Sequence, residues 1–131
     1  MPFLLDTQVI IWFIEGNTSL PVHIKALIAD PGNAIYVSST SLFELVIKQK
    51  IGKLAIKRGL NGLIADLAEE QISVLTIENK YLLAYDHLPL IADHRDPFDR
   101  LILATAMAEE WPVISSDHKF GWYADYVAVI W

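Results

Sequence analysis

Four carboxylates stand where a strand gives way to a helix or where an apolar helix opens: Asp6, Glu44, Asp99 and Asp117. Asp6 ends the apolar run Phe3 to Leu5, and Asp117 ends Val113 to Ser116. Glu44 falls in the first or second turn of a helix that follows a strand, and Asp99 lies in the first turn of a long apolar helix. Carboxylates gathered at one rim repel one another unless some are protonated or a divalent cation is held among them. With no cysteine and no ligand-like spacing among His23, His87, His94 and His118, the donor set is all oxygen, which favours Mg²⁺ or Mn²⁺ over zinc. The chemistry that such a site serves is displacement at phosphorus, where the ion orients the phosphate, activates a water and stabilises the leaving oxygen. Taken singly, each acid has an ordinary use: Asp6 as a helix cap, Glu44 as the partner of Lys48 one turn on, Asp99 on the helix dipole, Asp117 in a turn. The pattern of four is what points to a site.

The element that must hold Asp99 is Asp96 to Trp111, DPFDRLILATAMAEEW. Asp96 suits the cap, Pro97 the first helical position and Asp99 the dipole, and the apolar residues from Leu101 to Ala108 predict a helix covered on most sides. Upstream, Phe3 to Leu5 predicts a buried strand followed by a helix through Phe13, and His23 to Ala29 a second short helix. Ala34 to Val37 predicts a strand, and the run Ser38 to Ser41 caps a helix to about Lys50, with Ser41 and Glu44 spaced as a capping box. Gly52 and Gly59 punctuate a basic segment, after which Leu60, Leu63, Ile64 and Leu67 mark an amphipathic helix. Ser73 to Ile77 is the next strand, Glu78 to Asp86 a helix, His87 to Arg95 a loop, and Tyr126 to Ile130 the last strand. Alternation of this kind implies an α/β fold with a largely parallel sheet and helices on both faces, with ligands beyond the carboxyl ends of the strands.

At 131 residues the chain is long enough for one domain with a sizeable core, and residues 1–131 are read as a single unit without repeats or linkers. The lack of cysteine excludes a disulfide framework, a thiolate zinc site and a Cys nucleophile, and is compatible with a reducing cytoplasm. The amino-terminal stretch has no basic flank and carries Asp6 inside its apolar run, which argues against a signal peptide, and no uncharged run reaches membrane-spanning length. The net charge of −6 argues against a general nucleic-acid binder. A local basic face remains available, because Lys48, Lys50, Lys53, Lys57 and Arg58 account for five of the ten cations; its ordinary alternative is a solvated helix end. An apolar fraction of 53% with four Trp leaves surface for a partner, with Trp12, Phe13, Trp122, Tyr123 and Trp131 divided between that role and the core. The triplet His94-Arg95-Asp96 matches a kinase catalytic loop only in those letters, since no Asn follows at the required distance and no glycine-rich loop is present. Arg95 and Arg100 flank the acidic turn and are expected either to neutralise it or to meet a phosphate, with neutralisation favoured.

Taken together, LLDTQVIIWF, VSSTSLFELVIKQKIGKL, HRDPFDRLILATAMAEEWPVISSD and the closing VAVIW resemble PIN-domain nucleases, in particular the VapC-type toxins of toxin–antitoxin pairs, over essentially the whole chain. The resemblance implies a three-layer α/β/α fold around a mainly parallel sheet of four to five strands. By position it makes Asp6, Glu44, Asp99 and Asp117 the metal-site acids, with the fourth position the least uniform in the family. It selects Asp99 rather than Asp96, which becomes a cap or a support, and leaves Thr7, Ser115 and Ser116 as candidates to orient a carboxylate or a metal-bound water. It further implies a Mg²⁺- or Mn²⁺-dependent endoribonuclease, restrained by a cognate antitoxin and working as a homodimer in the cytoplasm, with RNA drawn along Lys48 to Arg58. Two other readings stand beside it: a non-catalytic module that binds RNA or protein on the same fold, and a structure-specific DNase.

Overall fold

The computed structural model describes residues 1–131. Five strands form one sheet: β1 Pro2–Leu5, β2 Ala34–Ser38, β3 Ser73–Leu75, β4 Val113–Ile114 and β5 Val129–Ile130. Their order is β3-β2-β1-β4-β5 and every pairing is parallel, so the sheet is fully rather than mainly parallel. The helices are α1 Thr7–Ile14, α2 Val22–Ala29, α3 Ser39–Lys50, α4 Gly59–Glu69, α5 Asn79–His87 and α6 Pro97–Glu109, with a 3₁₀ helix at His118–Tyr123.

Side chains alternate across the pleat and build two cores. Phe3, Leu5, Ile35, Val37 and Ile114 enter one with Val9, Ile10, Ile24, Leu45, Leu63 and Leu67 from α1 to α4. Leu4 and Val113 enter the other with Ile102, Leu103 and Ala106 of α6 and Phe120 and Tyr123 of the 3₁₀ helix. A parallel sheet buried on both faces with helices outside each is a three-layer α/β/α fold. Helix α6 is buried from Ile102 through Ala106 without a break, because it lies against the sheet while α5 and α3 cover its other sides.

Several local expectations are corrected. The capping box of Ser41 and Glu44 does not form: Ser38 caps α3 by accepting from Thr40 N, so Glu44 moves to the second turn and its carboxylate is free for other partners. The third strand stops at Leu75 and the fourth at Ile114. Most of the predicted last strand, Tyr126 to Ala128, is irregular, and the 3₁₀ helix before it carries no helical periodicity long enough to read from sequence. Of the aromatic residues divided between core and surface, Tyr123 is fully buried, Trp12 and Phe13 are half-buried, and Trp122 and Trp131 are exposed.

Candidate active site

The chain fills the sheet from β1 to β3 on one side of β1, then crosses back to place β4 on the other. In open parallel sheets that reversal opens a crevice beyond the strand ends, and here it falls between β1 and β4. Asp6 follows β1, and Ser115 and Asp117 follow β4. The two loops are tied together, since Asp6 N donates to Ile114 O at 3.0 Å and Ser115 Oγ donates to Asp6 Oδ2 at 2.8 Å. Thr7 N caps the other oxygen, Asp6 Oδ1, at 2.7 Å. Ser115 Oγ in turn accepts from Asp117 N at 3.1 Å, and Asp117 Oδ1 from Lys119 N at 2.9 Å.

Glu44 reaches the same place from α3 and is buried. Thr7 Oγ1 lies 2.8 Å from Glu44 Oε1 and 2.9 Å from Ser41 Oγ; having one proton, it donates to the carboxylate and accepts from Ser41. The second oxygen, Oε2, pairs with Lys48 Nζ at 2.8 Å, and this contact raises the Lys48 pKa and keeps it charged. Asp99 arrives from the first turn of α6. Asp96 caps that helix by accepting from Phe98 N and Asp99 N at 2.9 and 3.1 Å, as its sequence position predicts.

Burial and the neighbouring acids raise the pKa values of Asp6 and Asp99. Burial pushes the Asp6 carboxyl up to about 6, against the hydrogen bonds from Ser115 and Thr7, with Glu44 and Asp117 adding to the rise. Asp99 is pushed up to about 8, first by burial and then by Asp96, Asp6, Glu44 and Asp117. Ionising both near neutral pH therefore carries a cost, which a cation would remove. No three of them stand at ready-made coordinating distance, because their oxygens are spent on Thr7, Ser115, Lys48 and His94. The set fits a hard divalent ion in charge and donor type.

The remaining candidates divide. Thr7 and Ser115 each bond an acid, whereas Ser116 is exposed and takes no part. Lys48 and Lys53, with Thr7, Gln8 and Leu45, line a cavity of about 270 Å³ beside the acids. Lys57 and Arg58 border a different cavity with Glu15 and Asp66, and Arg58 is paired to Asp66; Lys50 is exposed at the end of α3. The arginine expectation is overturned. Arg100 turns inward, donating to Leu88 O, Pro89 O and Tyr123 Oη, while Arg95 pairs with Asp93. Among the histidines, His94 is 6% exposed and hydrogen-bonds both Asp99 and Tyr123. His118 lies 3.8 Å from Asp117 and is exposed. Sequence reasoning missed His94 and Tyr123 as contributors; the one available signal was a histidine five residues before an acid of the set.

The PIN domain family matches residues 3–125. The chain belongs to the PIN domain family. PIN domains are generally nucleases, and so hydrolases. Solved structures similar to this PIN domain include VapBC2 from Rickettsia felis bound to a DNA fragment from its promoter, with 20% identity, TM-score 0.73 and coverage of 99% of this chain and 98% of the other. VapBC-1 from nontypeable Haemophilus influenzae shares 18% identity at TM-score 0.61, covering 99% and 97%. FitAcB from Neisseria gonorrhoeae shares 20% at TM-score 0.59, covering 98% and 96%. At these identities the likeness is one of fold. A comparison with curated protein sequences finds no match. No helix of this PIN domain is long and apolar enough to cross a membrane.

Proposed function

We propose that this PIN domain is a Mg²⁺- or Mn²⁺-dependent endoribonuclease and the toxin of a VapC-type toxin–antitoxin pair. The gathering of Asp6, Glu44, Asp99 and Asp117 beyond one end of the sheet, where ionising Asp6 and Asp99 together carries a cost that a cation would remove, supports the reading. These four would hold the ion, which when bound supplies an activated water and neutralises charge at phosphorus. The chain itself does the positioning. Ser115 and Thr7 N fix the two oxygens of Asp6, Thr7 Oγ1 and Lys48 fix those of Glu44, and Asp96 sets the turn that presents Asp99. Lys48 and Lys53 offer the RNA backbone its first cations beside the acids, with Lys50, Lys57 and Arg58 further along the same segment. The antitoxin rests on the similar structures being toxin–antitoxin assemblies, and the homodimer on exposed apolar side chains such as Leu82, Leu83 and Leu90.

The test is cleavage of single-stranded RNA by purified protein, with DNA as the competing substrate. EDTA abolishes cleavage, Mg²⁺ or Mn²⁺ restores it, and Asp6→Asn and Asp99→Asn are folded and at least about 100-fold slower. Cleavage that survives both substitutions removes the reading; preference for DNA moves it to a DNase.

A further inference from the structure

His94 sits in a loop and yet is buried, and its two ring nitrogens face different partners. Nδ1 lies 2.9 Å from Tyr123 Oη, and Nε2 lies 3.2 Å from Asp99 Oδ2. The backbone leading into it is unusual: Ala92 and Asp93 both have positive φ, 50° and 59°, a conformation that costs a side chain about 1 kcal/mol each. That turn is closed by His94 N donating to Ile91 O at 2.9 Å. Local sequence preference does not favour this path, so the tertiary contacts of the ring hold it.

The direction of each proton follows from what the end of the chain can do. Arg100 has only donors, and its Nη1 donates to Tyr123 Oη at 3.2 Å while its other contacts, Leu88 O and Pro89 O, are carbonyls that anchor it. The phenol oxygen is thus an acceptor toward Arg100, and its own proton has one partner within reach, His94 Nδ1. With Nδ1 accepting, the neutral ring carries its hydrogen on Nε2 and donates it to Asp99. In the opposite sense Tyr123 would accept twice and leave its buried hydroxyl proton without a partner. Only one direction satisfies every group.

We propose that His94 is a positioning residue for Asp99: an Arg100–Tyr123–His94 chain of hydrogen bonds fixes the Nε2–H tautomer, ties Asp99 Oδ2, and leaves Oδ1 without a hydrogen-bond partner. Supports of this kind set the orientation of a ligating side chain without touching the ion. The use of Asp99 as a ligand rests on the proposed metal-dependent activity; the tautomer and the bond do not, and the test separates the two.

Histidine ring ¹⁵N NMR on metal-free protein at about pH 9, where Asp99 is ionised, reads the tautomer directly, with the His94 signal assigned by its loss in His94→Gln. The Nε2–H form is expected; the Nδ1–H form or a fast average of the two overturns the proposal. Tyr123→Phe removes the hydrogen bond to Nδ1 while ionised Asp99 still holds the Nε2 proton, so the variant is expected to keep the tautomer and move the Nδ1 resonance, and an unchanged Nδ1 shift also overturns the proposal. Calorimetry with Mn²⁺ then reads the consequence. His94→Leu binds about 10-fold more weakly, and His94→Gln, whose amide still donates to Asp99, recovers most of the loss. Wild-type affinity in folded His94→Leu overturns the positioning role. If wild type itself binds no Mn²⁺, the metal-dependent reading fails while the NMR result still decides the bond. Should His94→Leu not fold, Tyr123→Phe takes its place in the titration, with weaker binding expected and unchanged binding overturning the proposal.

Discussion

At Asp99 the fold concentrates more negative charge than its neighbours offset. Only His94 donates to its carboxylate, and Asp96, Asp6, Glu44 and Asp117 all oppose its ionisation. An isosteric amide removes that repulsion and keeps the histidine contact. Asp99→Asn is therefore expected to melt higher than wild type in EDTA at about pH 9, by roughly 1 kcal/mol or about 4 °C, while losing activity; differential scanning calorimetry checks the first. A lower melting temperature would mean that Asp99 is a structural acid. Glu109 behaves in the opposite way. Lys80 and Tyr81 both bond its carboxylate and hold its pKa below the ordinary value, against partial burial. A depressed carboxyl pKa stabilises the fold above the unfolded value and ceases to do so as pH falls through the folded one. The melting difference between wild type and Glu109→Gln is expected to be full near neutrality and to shrink as pH falls below about 4, vanishing beneath the depressed folded value, and it stays small because Lys80 is exposed. A difference that grows in acid contradicts the assignment.

The element that most needs its neighbours is α6. Its first turn is set by local chemistry, with Asp96 as cap and Pro97 at the first position, and both were legible in DPFD. Its end was less legible, because Glu110 closes it in the left-handed conformation at φ 59°, a place that usually takes glycine. Glu110→Gly relieves that backbone and is expected to raise stability by about 1 kcal/mol in chemical denaturation, with an unchanged m-value. Helix α3 teaches a complementary lesson. The spacing of Ser41 and Glu44 suits a capping box, yet Ser38 takes the cap and the helix starts at Ser39. One turn of difference converts Glu44 from a cap into a buried carboxylate shared by Thr7 and Lys48.

Over the whole molecule, the unfavourable charge of the crevice is the measure of how strongly an ion would stabilise the fold. An ion that binds only the folded state raises stability by mass action, about 2.7 kcal/mol at a hundred times its dissociation constant. Mn²⁺ is expected to raise the melting temperature of wild type and to have little effect on Asp6→Asn, as thermal shift measurements would register. Self-association belongs to this scale as well. Leu82 and Leu83 on α5 are 50% and 64% exposed, and Phe43 beside Glu44 is 59% exposed. Light scattering is expected to give the mass of a dimer, and a monomer at high concentration would count against it.

Alternation of apolar strands with helices, the caps at Asp6 and Asp96, and the placing of Asp6, Asp99 and Asp117 at element boundaries were determined by sequence, because each depends on residues close along the chain. Strand order is different in kind. That β4 lies beside β1 rather than β3 joins Ser115 to Asp6 across 109 residues, and no local periodicity encodes such a pairing. The same holds for His94 and Tyr123, which are 29 residues apart, and for Arg100, whose charge next to an acidic turn suggested neutralisation. Only packing decided that Arg100 faces inward. At the mouth of α6 the outer positions belong to carboxylates, and the inner side offers it two carbonyls and a phenol that would otherwise be buried with fewer partners.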